Sequence, residues 1–346
     1  MLPIPEFYDP KNVGTVYRVD YSSRSADALE YRSKHNIFTA SLDGQINWLL
    51  LVDVQNTFCI PGFELYVGGR SGNGAVDDDR RLCEFIYRNL ASITRISATL
   101  DTHTALQIFH PLFFVDAAGN HPAPYTDIHI NDLLVGNWKF NPALASEFGI
   151  TPSYGQNLVL YYAETLEKQG KYALTIWPYH AMLGGIGHAL VSAIEEAVFF
   201  HSVARFTSPH FEVKGDRPFT ENYSVIGPEV LRGPQGETLG WHNPKFIEQL
   251  KLVDRLIIAG QAKSHCVAWT VADLLNEIQL ADPALAGKVY LLEDCTSPVV
   301  VPGVVDHTGA ADAAFARFAA AGMHIVRSTQ PLDAWPRLEL PAVKHA

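Results

Sequence analysis

Short apolar runs alternate with segments of helical spacing along most of this chain. "INWLLLVDVQ" (46–55) is a continuous apolar run ending in Asp53, the pattern of a strand buried on both faces. "DDDRRLCEFIYRNLASITRI" (77–96) carries Leu82, Phe85, Ile86, Leu90 and Ile93 at helical spacing behind an acidic start, which predicts a helix. "SATLD" (97–101) reads as the next strand, "KYALTIWP" (171–178) as another, and "GHALVSAIEEAVFFHSVAR" (187–205) as a helix. "HFEVKG" (210–215), "DRLIIAG" (254–260), "KVYLLED" (288–294) and "MHIVRS" (323–328) complete the strands, with helices predicted at 266–279 and 308–321.

This alternation predicts an α/β protein of three layers, α/β/α, around a mainly parallel sheet of roughly six strands. Two segments stand outside it. Residues 1–45 are polar and irregular and read as an N-terminal arm; residues 111–170 are rich in Pro, Gly, Asn and His, with a helix predicted near 157–168. The second interrupts the core elements and reads as a lid-like insertion over one rim of the sheet. The body therefore spans 46–330, and 331–346 form a C-terminal tail.

Composition narrows the setting. With 47% hydrophobic and 18% charged residues, the 346-residue chain can build a large core. A formal net charge of -11, with no basic block, argues against nucleic acid and acidic membranes as partners. The start lacks a secretory pattern, and no apolar run approaches a membrane span. Cys59, Cys83, Cys266 and Cys295 are widely spaced and form no CxxC pair, so a reducing, cytoplasmic setting is expected.

Ligands of open parallel sheets bind beyond the carboxyl ends of the strands. Asp53, Asp101, Lys214 and the loop "GQAKSHCV" into Cys266 all fall at such ends. An isolated cysteine is most often a packing residue, and Cys59, Cys83 and Cys295 are read that way. Cys266 differs, because a helix start and a nearby cation, Lys214 or His265, would lower its pKa and favour the thiolate. Asp53, closing a run of leucines, needs a buried partner, and Lys214 is the natural one. An acid, a lysine and a thiol together supply a proton acceptor, a charge stabiliser and a nucleophile. In "LDTH", Asp101 and His103 sit two apart and would point to one side of an extended segment. With His180 of "WPYH" they could hold one Zn, Fe or Mn ion.

In this combination the chain resembles the nicotinamidase/isochorismatase-like cysteine hydrolases, and most nearly their nicotinamidase branch. The matching pieces are "LLLVDVQNTF", "LDTH", "WPYH", "VKG" with "ENYS", and "GQAKSHCV", in the family's order. The resemblance implies the isochorismatase-like hydrolase fold and a catalytic triad of Asp53, Lys214 and Cys266. It implies a cis peptide at Gln261–Ala262 and an oxyanion hole from the backbone N–H groups of Ala262 and Cys266. It implies a metal held by Asp101, His103 and His180, with His110 as an additional candidate and His121 and His129 as weaker ones. Zinc is the first choice, with iron or manganese as alternatives. Phe58 and Trp177 would flank a flat substrate, and a homo-oligomer is usual for such proteins. The chain departs from the nicotinamidase pattern at Thr102, Thr57, Ala181 and Lys263.

The expected activity is hydrolysis of a small amide through a thioester acyl-enzyme, with release of ammonia. The alternatives are a ureido, carbamoyl or maleamate-type hydrolase without an essential metal, and a catalytically silent binding or scaffold member.

Overall fold

The structure is a computed structural model describing residues 1–336, so the expected C-terminal tail lies outside the described residues from 337 onward. The elements, in chain order, are α1 (Tyr21–Lys34), β1 (Asn47–Val52), α2 (Gly74–Arg88), β2 (Arg95–Asp101), β3 (Asp127–Ile128), α3 (Pro152–Lys168), β4 (Leu174–Thr175), α4 (Ser192–Arg205), β5 (His210–Lys214), α5 (Lys245–Lys251), β6 (Arg255–Gly260), α6 (Cys266–Ala281), β7 (Val289–Leu292), α7 (Thr308–Ala320) and β8 (His324–Val326). Some shorter turns and bridges join them.

Six strands form one parallel sheet in the order β8-β7-β6-β1-β2-β5. β1 is central, with Leu50 paired to Ser97 of β2 on one side and to Ile258 of β6 on the other. Every residue of β1 is buried, which is why its sequence is an unbroken apolar run rather than an alternation. From β1 the chain builds outward through β2 to β5, then returns to the other side of β1 and builds through β6, β7 and β8. Right-handed crossovers in opposite directions put their helices on opposite faces. Accordingly α2 packs on α4, while α6 packs on α5 and α7. The strand order reverses between β1 and β6, the place where an open parallel sheet leaves a crevice at its carboxyl edge.

Three expectations need correcting. The N-terminal arm is not irregular: it carries α1, capped by the Asp20 side chain and lying on α4, with Arg32 donating to the Ala204 carbonyl at 2.6 Å. Only Ala28 and Tyr31 of α1 are buried, too few apolar positions for a sequence period to reveal. The run 171–178 contributes no strand to the central sheet. Its two-residue strand, β4, follows the insertion and pairs antiparallel with β3, which lies within it. The helix expected from residue 187 begins at Ser192, because 186–191 run over the crevice, where Val191 N–H bonds the Val54 carbonyl at 3.0 Å.

The insertion is ordered around α3, whose first turn is set by Pro152 and by the Thr151 hydroxyl accepting from Tyr154 N–H at 3.2 Å. Its inner face buries Leu158, Val159, Tyr162, Ala163 and Leu166. Among the described residues no helix is long and apolar enough to cross a membrane.

Gly260 ends β6 with a φ of +116°, and a Cβ there would come 2.1 Å from the Val52 carbonyl oxygen. No side chain fits between β1 and β6 at that level. Gly260→Ala is expected to cost about 3 kcal/mol or more of stability in urea unfolding. An unchanged midpoint would mean the two strand tips can part freely.

Candidate active site

The strand tips bring the predicted residues together. Asp53 follows β1 with a φ of +47°, fully buried, and its backbone N–H bonds Thr99 Oγ1 at 3.0 Å. The same Thr99 hydroxyl donates to Asp53 Oδ1 at 2.5 Å, fixing the carboxylate from β2. Lys214, last residue of β5, reaches across β2 and directs its ammonium to Asp101 Oδ1 at 3.0 Å, the Asn222 carbonyl at 3.0 Å and Cys266 Sγ at 3.6 Å. Asp53 Oδ2 stands 2.8 Å from the same Nζ as an ion pair outside hydrogen-bond geometry. Apart from that ion pair, among the described residues no donor meets hydrogen-bond geometry at that oxygen. Cys266 is the first residue of α6, and Gln261–Ala262 is cis. Among the described residues no carbonyl accepts from the N–H of Ala262 or of Cys266, so both stand available as donors.

The electrostatics revise one expectation. Burial, together with the Asp53 and Asp101 carboxylates, outweighs Lys214 and pushes the Cys266 thiol well above its ordinary pKa. The resting sulfur is therefore a protonated thiol. The thiolate expected from the helix start and the lysine does not form at rest, because it would be a third buried anion facing one ammonium. Nor is His265 a cation here: burial and the neighbouring His307 push it down to about 3. Lys214 is the ammonium of the site, since Asp101 and Asp53 overrule the effect of burial and hold its pKa well above the usual value. Asp53 is shifted up by burial, against the pull of Lys214. A carboxylate with a raised pKa beside a thiol is suited to take that proton.

Asp101 faces two ways. Its Oδ1 serves Lys214, while Oδ2 lies 2.8 Å from His103 Nε2 and 3.5 Å from His180 Nε2. His103 Nδ1 is 3.1 Å from the Gly215 carbonyl and His180 Nδ1 is 2.8 Å from the Pro178 carbonyl. Each carbonyl can accept from an Nδ1–H, while His103 Nε2 is hydrogen-bonded to Asp101 Oδ2, and that carboxylate raises the His103 pKa against the effect of burial. The three ligand atoms lie within 4.8 Å of one another and are buried, a set that can hold a divalent metal ion. His110 is not part of that group. Its buried ring lies 5.9 Å from that of His103 and 6.1 Å from that of His180, with neither nitrogen hydrogen-bonded. His121, bonded to the Phe114 carbonyl, and the exposed His129 near Glu167 belong to the insertion and take no part.

Above Cys266 is a narrow cavity walled by Phe58, Trp177, Tyr223, His265 and Val299. The cavity is small, so it suits a compact acyl group. Trp177 Nε1 donates to the Tyr223 hydroxyl at 2.9 Å, which fixes the indole as part of the wall. Cys59, Cys83 and Cys295 are buried free thiols, as expected of packing residues.

Comparison with solved structures finds this fold among nicotinamidases. The yeast nicotinamidase bound to the inhibitor nicotinaldehyde aligns with a TM-score of 0.50 at 17% identity, over 82% of this chain and 100% of that one. The Acinetobacter baumanii nicotinamidase/pyrazinamidase aligns at 0.49 and 17%, over 83% and 98%. The Pyrococcus horikoshii pyrazinamidase in complex with zinc aligns at 0.41 and 17%, over 81% and 98%. No family model matches the sequence, and no curated protein matches it. The chain has the three-layer isochorismatase-like hydrolase fold.

Sequence reasoning missed several contributors. Thr99 lies inside a strand and gave no sign that it holds Asp53. Gln55 clamps the tip of β2, with Nε2 on the Asp101 carbonyl at 2.9 Å and Oε1 accepting from Asp101 N–H at 2.8 Å. Glu221 stood in the motif "ENYS" without a role, yet it lines the cavity, where burial above all pushes it up to about 7. A carboxyl at a motif position with no basic neighbour in sequence was the available signal.

Lys214 neutralises two buried carboxylates, so Lys214→Met should cost about 3–5 kcal/mol near pH 7 in metal-free protein. Asp101 is held well below its usual pKa, burial being overruled by His103 and Lys214. Its contribution is thus present above the ordinary carboxylate pKa and is lost in acid, where the carboxyl groups take up protons. The deficit of the variant should therefore shrink as pH falls in unfolding curves. A deficit that is small, or constant with pH, would argue that the carboxylates are neutral at rest.

Proposed function

We propose that this chain is a cysteine-dependent amidohydrolase that cleaves the C–N bond of a small amide through a thioester acyl-enzyme and releases ammonia, in the manner of nicotinamidases. The observation that carries the reading is the meeting of Cys266, Lys214 and Asp53, with the Lys214 ammonium 2.8 Å from Asp53 Oδ2 and 3.6 Å from Cys266 Sγ, and with Cys266 on the wall of the cavity.

In this reading Asp53 takes the Cys266 proton as sulfur attacks the amide carbonyl, so no thiolate has to persist at rest. Lys214 balances the negative charge that passes from carboxylate to sulfur and onward. The N–H groups of Ala262 and Cys266 receive the oxyanion. The proton on Asp53 then goes to the departing nitrogen, the C–N bond breaks and ammonia leaves. Asp53 next draws a proton from water, which attacks the thioester, releases the acid and restores the thiol. Phe58 and Trp177 keep the acyl group flat and water sparse.

The donor set of one carboxylate and two imidazoles whose Nε2 atoms face it fits zinc, and also iron or manganese. Bound there, the ion would act as a Lewis acid towards a heteroatom of the substrate or a water molecule. His103 and His180 are oriented for it by the carbonyls of Gly215 and Pro178.

Ammonia release over a panel of small amides tests the activity. Wild type should turn over at least one flat amide, and Cys266→Ala should lose activity by about a thousandfold or more while remaining folded. Because Asp53 must be ionised and its pKa is raised, kcat/KM should fall on the acid side with a midpoint above 3.8. No release from any amide by wild type would instead favour the silent binding role.

Metal content provides a separate test. Protein loaded with zinc and desalted should retain about one ion per chain by elemental analysis, and His103→Ala should retain far less. Equal, negligible retention by both proteins together with full activity would favour the metal-independent amide hydrolases.

A further inference from the structure

A second, smaller cavity adjoins the catalytic one where the insertion meets the body. Glu221 and Tyr223 line both, and Phe109, Tyr162, Tyr172 and Glu229 enclose the smaller one. It has room for one water-sized molecule. Glu221 and Glu229 are each only 5% exposed, and Glu229 N–H bonds the Glu221 carbonyl at 2.8 Å, which fixes the two residues side by side. Glu229 has a cation, since Lys171 Nζ stands 2.9 Å from its Oε2. Among the described residues Glu221 forms no ion pair. Its Oε1 accepts from the Asn222 N–H at 2.8 Å, and its Oε2 accepts from no donor. Asp101, His103 and Lys214 act on it from the catalytic side without pairing with it. Oε2 is thus a buried oxygen on a cavity wall, and the catalytic steps above do not use it.

With both carboxyl groups ionised, the single ammonium of Lys171 leaves one negative charge uncompensated in a space shut off from bulk water, which is costly. A small cation in the cavity would offset it. The surrounding rings of Phe109, Tyr162, Tyr172 and Tyr223 favour a cation as well, because aromatic faces attract positive charge. Ammonium matches the site in size and sign, and unlike sodium or potassium it brings N–H donors for a carboxylate oxygen.

We propose that this second cavity is a binding site for an ammonium ion, held by Glu221 Oε2 among the aromatic rings. The purpose of the site, though not the binding itself, rests on the amidohydrolase reading. Ammonia left beside a thioester would attack it and remake the amide, whereas ammonium has no lone pair with which to do so. Ammonia that meets Glu221 in its carboxyl form takes the proton from oxygen to nitrogen, which leaves carboxylate and ammonium paired and adds no net charge.

Thermal unfolding of the full chain, with no amide present, reads the binding directly. At matched ionic strength, ammonium chloride should raise the midpoint saturably above that in sodium or potassium chloride, by about 2 °C once ammonium is about tenfold above its Kd. Glu221→Gln should lose this increment, and so should Ala173→Leu, which fills the cavity from its wall. An increment that is absent, or matched by potassium, overturns the assignment and leaves the cavity to water. One that persists in either variant places the ammonium elsewhere and overturns it too. Should Glu221→Gln not fold, Ala173→Leu decides alone. A protein that shows the increment but hydrolyses no amide supports the site while the activity fails. An active amidohydrolase without the increment overturns the site and leaves the activity standing.

Discussion

The ammonium of Lys214 is shared by Asp53, Asp101 and Cys266 in a space closed to solvent, and the strand tips are arranged around it. Two buried carboxylates could not both remain ionised there without it, and a buried ammonium could not persist without them. Burial shifts the Asp53 carboxyl and the Cys266 thiol towards their protonated forms, while Asp101 is held low by His103 and Lys214 and Lys214 is held high by Asp101 and Asp53. That proton state defines the chemistry available: the base must be a carboxylate whose pKa is raised by burial, and the nucleophile must be created during attack.

Asp101 ties this cluster to the imidazoles. One of its oxygens faces the ammonium and the other faces His103 and His180, so the thiol side and the metal-binding side share a single carboxylate. A change in charge on either side is felt on the other through one side chain. The backbone supports this sharing. Gln55 grips both the N–H and the carbonyl of Asp101, and Thr99 grips both the N–H and the carboxylate of Asp53. Neighbouring parallel strands thereby brace each other's ends, and the reversal of strand order beside β1 leaves the crevice in which they can do so.

The insertion completes the enclosure. Tyr172, just before β4, packs on His265 and donates to the Ser264 carbonyl at 3.1 Å, and α3 presents Tyr162 to the Glu221 backbone N–H at 3.0 Å. It acts as a wall that narrows the cavity and holds the loop carrying the cysteine. The N-terminal segment is remote from this work and covers the opposite layer through α1 and α4.

The central sheet was legible in the sequence because strands buried on both faces must be apolar throughout. β1, β6 and β7 announce themselves this way whatever surrounds them. The residues at their ends, Asp53, Asp101 and Lys214, were legible too, since a charge closing an apolar run has to be met by another. α1 was not legible, because a helix resting on its neighbour through Ala28 and Tyr31 leaves almost no period. The pairing of β4 with β3 of the insertion was hidden as well, a two-residue strand being defined by its partner and not by its own composition. Above all, the protonation of Cys266, the neutrality of His265 and the raised carboxyl of Glu221 were decided by the tertiary structure alone. The sequence by itself determines which groups the strand ends carry; their charge depends on how much water is removed and which other charges lie within a few ångströms, and neither exists until the chain has folded.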